Sequence, residues 1–123
     1  MYKISLMVRK INVLLIEDDF EIGKWLGKRI LELSNIESLS WETSIEKALI
    51  NLSLNNPDII ILDLKLPDGN GIDLLKKIKK AKKESKVFIF SVSNELRKTC
   101  LRSGADCFFD KTTDSEILIK SLK

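Results

Sequence analysis

Along this 123-residue chain, short apolar runs alternate with stretches whose apolar residues recur at helical spacing. The run Ile11–Ile16 ends at Glu17-Asp18-Asp19 and reads as a first strand. Beyond it Ile22, Trp25, Leu26, Ile30 and Leu33 share one face of a helix that Asp19 or a neighbour can cap. Residues 36–41 alternate as a short edge strand. Thr43-x-x-Glu46 has the form of a capping box opening a second helix, with Ile45, Ala48, Leu49 and Leu52 inward. The β-branched run Ile59–Leu62 reads as a strand buried on both faces, and its exit carries Asp63.

The turn chemistry of Pro67-Asp68-Gly69-Asn70 then reverses the chain into a third helix over about 71–82. Residues 87–90 form a fourth strand ending at Ser91. A short, weakly patterned fourth helix over 94–102 stops at Ser103-Gly104. A fifth strand spans 105–109, and Thr113-x-x-Glu116 opens a fifth helix with Ile117, Leu118 and Leu122 inward. Strands alternating with helices imply an α/β fold: a doubly wound, five-stranded parallel sheet between helices, three layers deep. Right-handed crossovers leave the flavodoxin-like order 2-1-3-4-5 as the commonest solution. Residues 1–10 carry no periodic signal and are set apart as an N-terminal extension of the kind cloning leaves; residues 11–123 make one domain.

Composition narrows the function. With 44% hydrophobic and 32% charged residues the chain has ordinary globular composition, and its apolar runs are strand-length, far short of a membrane span. No secretory signal is recognisable, so the expected compartment is the cytoplasm. Cys100 and Cys107 lack metal-ligand or CxxC spacing and read as buried free thiols. A net charge of +3 does not argue for nucleic acid. The lysine-rich stretch 76–83 follows a stripe of Ile72, Leu75 and Ile78, so most of its lysines form a solvated helix face. The chain contains no histidine, which excludes histidine metal sites and Ser-His nucleophiles. Trp25 and Trp41 read as packing residues, Asp68 and Asn70 as turn residues.

In a parallel sheet, Glu17, Asp18, Asp63, Ser91 and Lys111 should gather on one edge, where such folds bind ligands. Carboxylates gathered there repel one another unless a cation joins them, and hard oxygen ligands suit Mg²⁺. With the charge cancelled, Asp63 becomes a plausible nucleophile towards a phosphoryl group. Lys111 is then a second cation, and the Ser91 hydroxyl with nearby backbone N–H groups supplies donors.

These residues, in this order and spacing, resemble the receiver domain of bacterial two-component response regulators over roughly residues 10–123. The matched positions are the acidic pair Glu17 and Asp18, the phosphoacceptor Asp63, and Pro67 and Gly71 in the turn after it. Ser91 matches the switch hydroxyl, Phe108 the switch aromatic and Lys111 the family lysine. The resemblance implies a phosphohistidine donor on a sensor histidine kinase or a histidine phosphotransfer protein. It implies Mg²⁺ held by Asp18, Asp63 and the Lys65 carbonyl, with Glu17 acting through water. It also implies a signalling domain rather than a turnover enzyme, one that switches a downstream output domain or target through helix four, strand five and helix five. That face can also join two copies of the chain. Direct nucleic-acid binding and membrane insertion are not expected of such a domain.

Thr112 stands where the family usually has proline after the lysine. A cis bond there would cost about 2.5–4 kcal/mol, so a trans bond is expected. Val92 replaces the usual Ala or Gly and is expected to narrow access, and Phe108 lacks the hydroxyl of the commoner Tyr. These departures keep a second hypothesis open: a phosphorylation-independent adaptor on the same fold. A Mg²⁺-dependent phosphohydrolase is disfavoured, because Lys65 occupies the place where such enzymes commonly carry a second acid. No output segment follows Lys123, which fits either a stand-alone receiver or one excised from a longer regulator.

Overall fold

A computed structural model describes residues 9–123. Five strands, β1 (Ile11–Ile16), β2 (Ile36–Glu42), β3 (Ile59–Leu62), β4 (Lys86–Ser91) and β5 (Cys107–Asp110), form one parallel sheet in the order β2-β1-β3-β4-β5. Helices α1 (Phe20–Leu31), α2 (Ile45–Leu54), α3 (Gly71–Ala81), α4 (Arg97–Arg102) and α5 (Ser115–Ser121) connect and follow them. This is the doubly wound flavodoxin-like topology expected from the alternation. Most of the set-apart extension lies outside the described residues; within them, Arg9 pairs with Asp58.

Side chains alternate across the pleat and build two cores. Leu14, Ile16, Ile60 and Leu62 face α2, α3 and α4 together with Ala48, Leu75, Ile78 and Cys100. Val13, Leu15 and Ile61 point the other way, against Leu26 and Ile30 of α1 and Leu118, Ile119 and Leu122 of α5. Burial on both faces is why β1 and β3 read as unbroken apolar runs rather than alternating ones.

Several local expectations are corrected. The cap of α2 is Ser44, not Thr43; its side chain accepts the Lys47 N–H at 3.2 Å. Asp68, read as a turn residue, reaches across from the short antiparallel hairpin Lys65–Leu66/Gly69–Asn70 and accepts the N–H groups of Ile45 and Glu46 at 2.8 and 2.9 Å. The start of α2 thus takes its anion from a distant loop. Asn70 caps α3 through the Ile72 N–H at 2.7 Å. The box at Thr113 does not form: Asp114 occupies the cap position and turns its carboxylate back to the Asp110 N–H at 3.0 Å. Leu49 and Ile117 face solvent, and Ile119 takes the inward place given to Ile117.

Trp25 is also exposed, with the Arg29 guanidinium 5.5 Å from its ring, whereas Leu26 and Ile30 bury the same helix. Cys107 is only half-buried; Cys100 is fully buried, which pushes its thiol pKa up. On α3 the stripe Ile72, Leu75 and Ile78 is buried, while Lys76, Lys77 and Lys80 face solvent. Among the described residues no helix is long and apolar enough to cross a membrane.

Candidate phosphoacceptor site

The site occupies the C-terminal edge of the sheet. Ile16 pairs with Leu62, so the residues that follow them, Glu17 and Asp63, emerge side by side; the Asp63 N–H still donates to the Ile16 carbonyl at 3.0 Å. Next to β3, β4 ends in a fully buried Ser91, and its carbonyl accepts the Lys111 N–H at 3.0 Å, which brings the loop after β5 to the same edge. The sheet register therefore brings together the acids of β1, the Asp63 of β3, and the loop ends of β4 and β5.

The charged core of the site is compact. Carboxylate oxygens of Glu17, Asp18 and Asp63 lie within 4.8 Å of one another. The Lys111 ammonium stands 2.8 Å from Glu17 Oε1 and 3.2 Å from Asp63 Oδ2. The buried Oε1 thus has the ammonium as its partner. The other Glu17 oxygen accepts the Asp19 N–H at 3.2 Å, and Asp63 Oδ1 accepts the Lys65 N–H at 3.2 Å.

Burial dominates the electrostatics. It pushes the Glu17 carboxyl up to about 7 against the pull of Lys111, with the neighbouring Asp63 charge adding to the rise. Asp18 is raised by partial burial and by its closeness to Asp63. For Lys111 burial works downward, but the Glu17 and Asp63 carboxylates outweigh it and hold the ammonium charged.

Three clustered carboxylates are a hard-oxygen set that fits a small divalent cation. Glu17, Asp18 and Asp63 could hold it, together with a backbone carbonyl.

Two supports of this geometry escape sequence reading. Trp41 donates its indole N–H to the Glu17 carbonyl at 2.8 Å and lies so close over Gly23 that a Cβ there would come within 2.1 Å of the ring. The pairing of glycine in α1 with tryptophan at the end of β2 is a long-range match that no local pattern announces. Gly71 packs behind Asp63: its N–H donates to the Leu64 carbonyl, and a Cβ would sit 2.6 Å from the Asp63 carbonyl oxygen. Gly71 stood among the matched turn positions, but its reason, close backbone approach, is visible only here.

Phe108 is buried in the α2–α4 core, with the Arg97 guanidinium 4.7 Å from its ring and donating to its carbonyl at 3.2 Å. The Ser91 hydroxyl oxygen accepts the Ser93 N–H at 3.0 Å. Val92 is exposed beside it. The Lys111–Thr112 bond is trans, as expected.

The response regulator receiver domain model matches residues 13–123. The chain belongs to that family. Receiver relatives include the swarming motility regulation protein RssB of Serratia marcescens, 35% identical over 91% of this chain and 51% of RssB. The nitrate/nitrite response regulator NarL of Escherichia coli K12 is 30% identical over 89% of this chain and 52% of NarL. Among solved structures, the Francisella response regulator 1452 receiver domain superposes with a TM-score of 0.82 at 29% identity, covering 92% of this chain and 93% of its own. The receiver chain spans about half the length of the curated relatives it matches.

Proposed function

We propose that this receiver takes a phosphoryl group from a phosphohistidine, on a sensor histidine kinase or a histidine phosphotransfer protein, onto Asp63. A carboxylate oxygen of Asp63 forms the new P–O bond as the donor's P–N bond breaks, and the imidazole nitrogen leaves with the electron pair. Lys111 at Oδ2 and the Lys65 N–H at Oδ1 fix the carboxylate, and Lys111 is placed to meet charge that spreads over the phosphoryl oxygens. Asp18, Asp63 and the Lys65 carbonyl, with Glu17 through water, would hold a Mg²⁺ ion, which would supply the charge neutralisation an approaching anionic group needs. Ser91 offers a hydroxyl from the end of β4.

The observation that carries this reading is the meeting of Asp63 with Lys111, Glu17 and Asp18 on one edge. That complete set argues against the phosphorylation-independent adaptor.

The output is a change in partner affinity, made by a signalling domain in the cytoplasm rather than by turnover of a substrate. Phosphorylation puts about 1.5–2 negative charges at Asp63 in place of the carboxylate's one. Ser91 and Lys111, at the roots of α4 and α5, are the groups placed to follow them. The α4 segment is the easiest to move: it opens with a 3₁₀ turn at Asn94–Leu96, continues for only six α-helical residues and has no side-chain cap. The α4–β5–α5 face would then engage an output domain, a target protein or a second copy.

Incubation with a small phosphodonor and Mg²⁺ tests the reading by intact mass. Wild type should gain one phosphoryl group and Asp63→Ala none; undiminished acyl-phosphate on the Ala variant overturns it. Amide-exchange changes confined to α1, α2 and α3 on phosphorylation would overturn the output face.

A further inference from the structure

Asp110, the last residue of β5, binds on both sides of the loop that carries Lys111. Its Oδ1 accepts the Thr112 N–H at 2.8 Å and the Thr112 hydroxyl at 2.6 Å. Its Oδ2 accepts the side-chain amide of Asn94 at 2.6 Å, and Asn94 begins the 3₁₀ turn leading into α4. Its own N–H donates to Asp114, which starts α5. The Thr112 hydroxyl, then the Asn94 amide, then the Thr112 N–H hold the Asp110 carboxyl below the usual range. Lys111 lies between these bonds, its N–H tied to Ser91 and its ammonium carried inward to Glu17 and Asp63.

We propose that Asp110 is a positioning residue for Lys111. Its carboxylate closes an Asx turn over Thr112 that sets the direction in which the Lys111 stem leaves the backbone, and the same carboxylate ties this turn to the base of α4. Thr112 contributes through an N–H and a hydroxyl, neither of which a proline could donate, so the side chain of Asp110 does here what ring rigidity cannot. A carboxylate accepting several donors is a stronger tether than a neutral acceptor. Movement of Lys111 towards a phosphoryl group would pull on this turn and, through Asn94, on the start of α4. The kinetic part of this inference rests on Asp63 as the phosphoacceptor; the placement of Lys111 does not.

The test is acylation of lysines by an amine-reactive ester, read residue by residue by mass spectrometry, beside phosphodonor labelling rates. Lys111 reactivity should rise about fivefold in Asp110→Ala and in Thr112→Pro, the factor carried by one net hydrogen bond, with exposed Lys76 unchanged. The double variant should rise no further than Asp110→Ala alone, because that change already removes both Asp110–Thr112 bonds. Asp110→Asn keeps an oxygen for Thr112 but sets an amide against that of Asn94, so it should leave Lys111 near wild type while speeding amide exchange at the start of α4. It carries the test if Asp110→Ala fails to fold. Labelling should slow by a similar factor in Asp110→Ala and Thr112→Pro with Mg²⁺ affinity unchanged. Wild-type Lys111 reactivity in both variants overturns the proposal, as does a lower melting temperature with unaltered reactivity. If the wild type takes no phosphoryl group, the Asp63 reading falls, and Lys111 reactivity still decides the role of Asp110.

Discussion

Replacing Lys111 with methionine keeps most of the side-chain volume and removes the ammonium that lies 2.8 Å from Glu17 and 3.2 Å from Asp63. At an effective dielectric of ~20 those contacts represent about 5–6 kcal/mol each of gross attraction. Much of that is offset by the cost of dehydrating three charged groups, whose side chains are 11%, 1% and 7% exposed. Removing one partner from such a set typically costs about 3–5 kcal/mol, because the others are left buried and unpaired.

Proton uptake limits the loss, and its sign can be worked out. Glu17 has a folded-state pKa of about 7 against an ordinary 4.5. Its contribution to stability is therefore fully present below about 4.5 and is lost as pH rises through about 7. Lys111 pulls that pKa down, so the variant's Glu17 titrates higher still. The gap between wild type and variant should thus widen as pH rises above 7 and narrow in acid, where Glu17 is neutral in both. Urea unfolding in EDTA at pH 8 should show the ~3–5 kcal/mol deficit, shrinking by roughly half at pH 5.5, and millimolar Mg²⁺ at pH 8 should restore part of it. A deficit under ~1 kcal/mol at pH 8, the value of an exposed pair, or one independent of pH, would refute the electrostatic account.

Gly71→Ala should cost about 1–3 kcal/mol by urea unfolding and slow phosphodonor labelling, because the added Cβ meets the Asp63 carbonyl and the Leu64 backbone, which cannot yield as a flexible side chain would. Trp41→Phe keeps an aromatic ring and removes the N–H that binds the Glu17 carbonyl; it should cost ~1 kcal/mol and weaken Mg²⁺ binding by calorimetry, and unchanged binding would free the acidic loop from this strut. Asp18→Ala should flatten the Mg²⁺ titration while leaving the melting temperature at or above wild type, since it removes a carboxylate from a repelling cluster.

What the sequence made legible follows from where each residue's reason lies. The strands and their order depend on local period and on chirality rules that hold for any α/β chain, so Ile11–Ile16 and Ile59–Leu62 could be bounded by inspection. Once the sheet is parallel, Glu17, Asp63, Ser91 and Lys111 must reach the same edge, and their meeting needs no side-chain detail. The misses have a different origin. Thr43 and Thr113 have capping-box spacing, but Ser44 sits one residue closer to the first turn, and Asp114 is claimed by Asp110. Asp68 serves a helix more than twenty residues away in sequence, which no window over its neighbours can register. Leu49 and Ile117 sit at the margins of their apolar stripes, where a rotation of the helix turns a residue from core to solvent.

A related division, in how the parts are held, runs through the site itself. The β1 and β3 side is held rigidly: Trp41 pins Glu17, Gly71 abuts Asp63, and both strands are sealed between two cores. The β4 and β5 strands share that packing through Val87, Ile89 and Phe108 on one face and Phe88, Phe90 and Phe109 on the other, but the loops that follow them are held by polar bonds at partly exposed positions: Asp110 to Thr112 and Asn94, and Arg97 to the Phe108 carbonyl. Exposed hydrogen bonds are each worth little, roughly 1 kcal/mol, and can be exchanged one for another, whereas repacking a core costs several. New charge at Asp63 would therefore be resisted by the first half of the site and accommodated by the second. The direction of a response to phosphorylation at Asp63 would then follow from which loops around it are backed by close packing and which are held by replaceable hydrogen bonds.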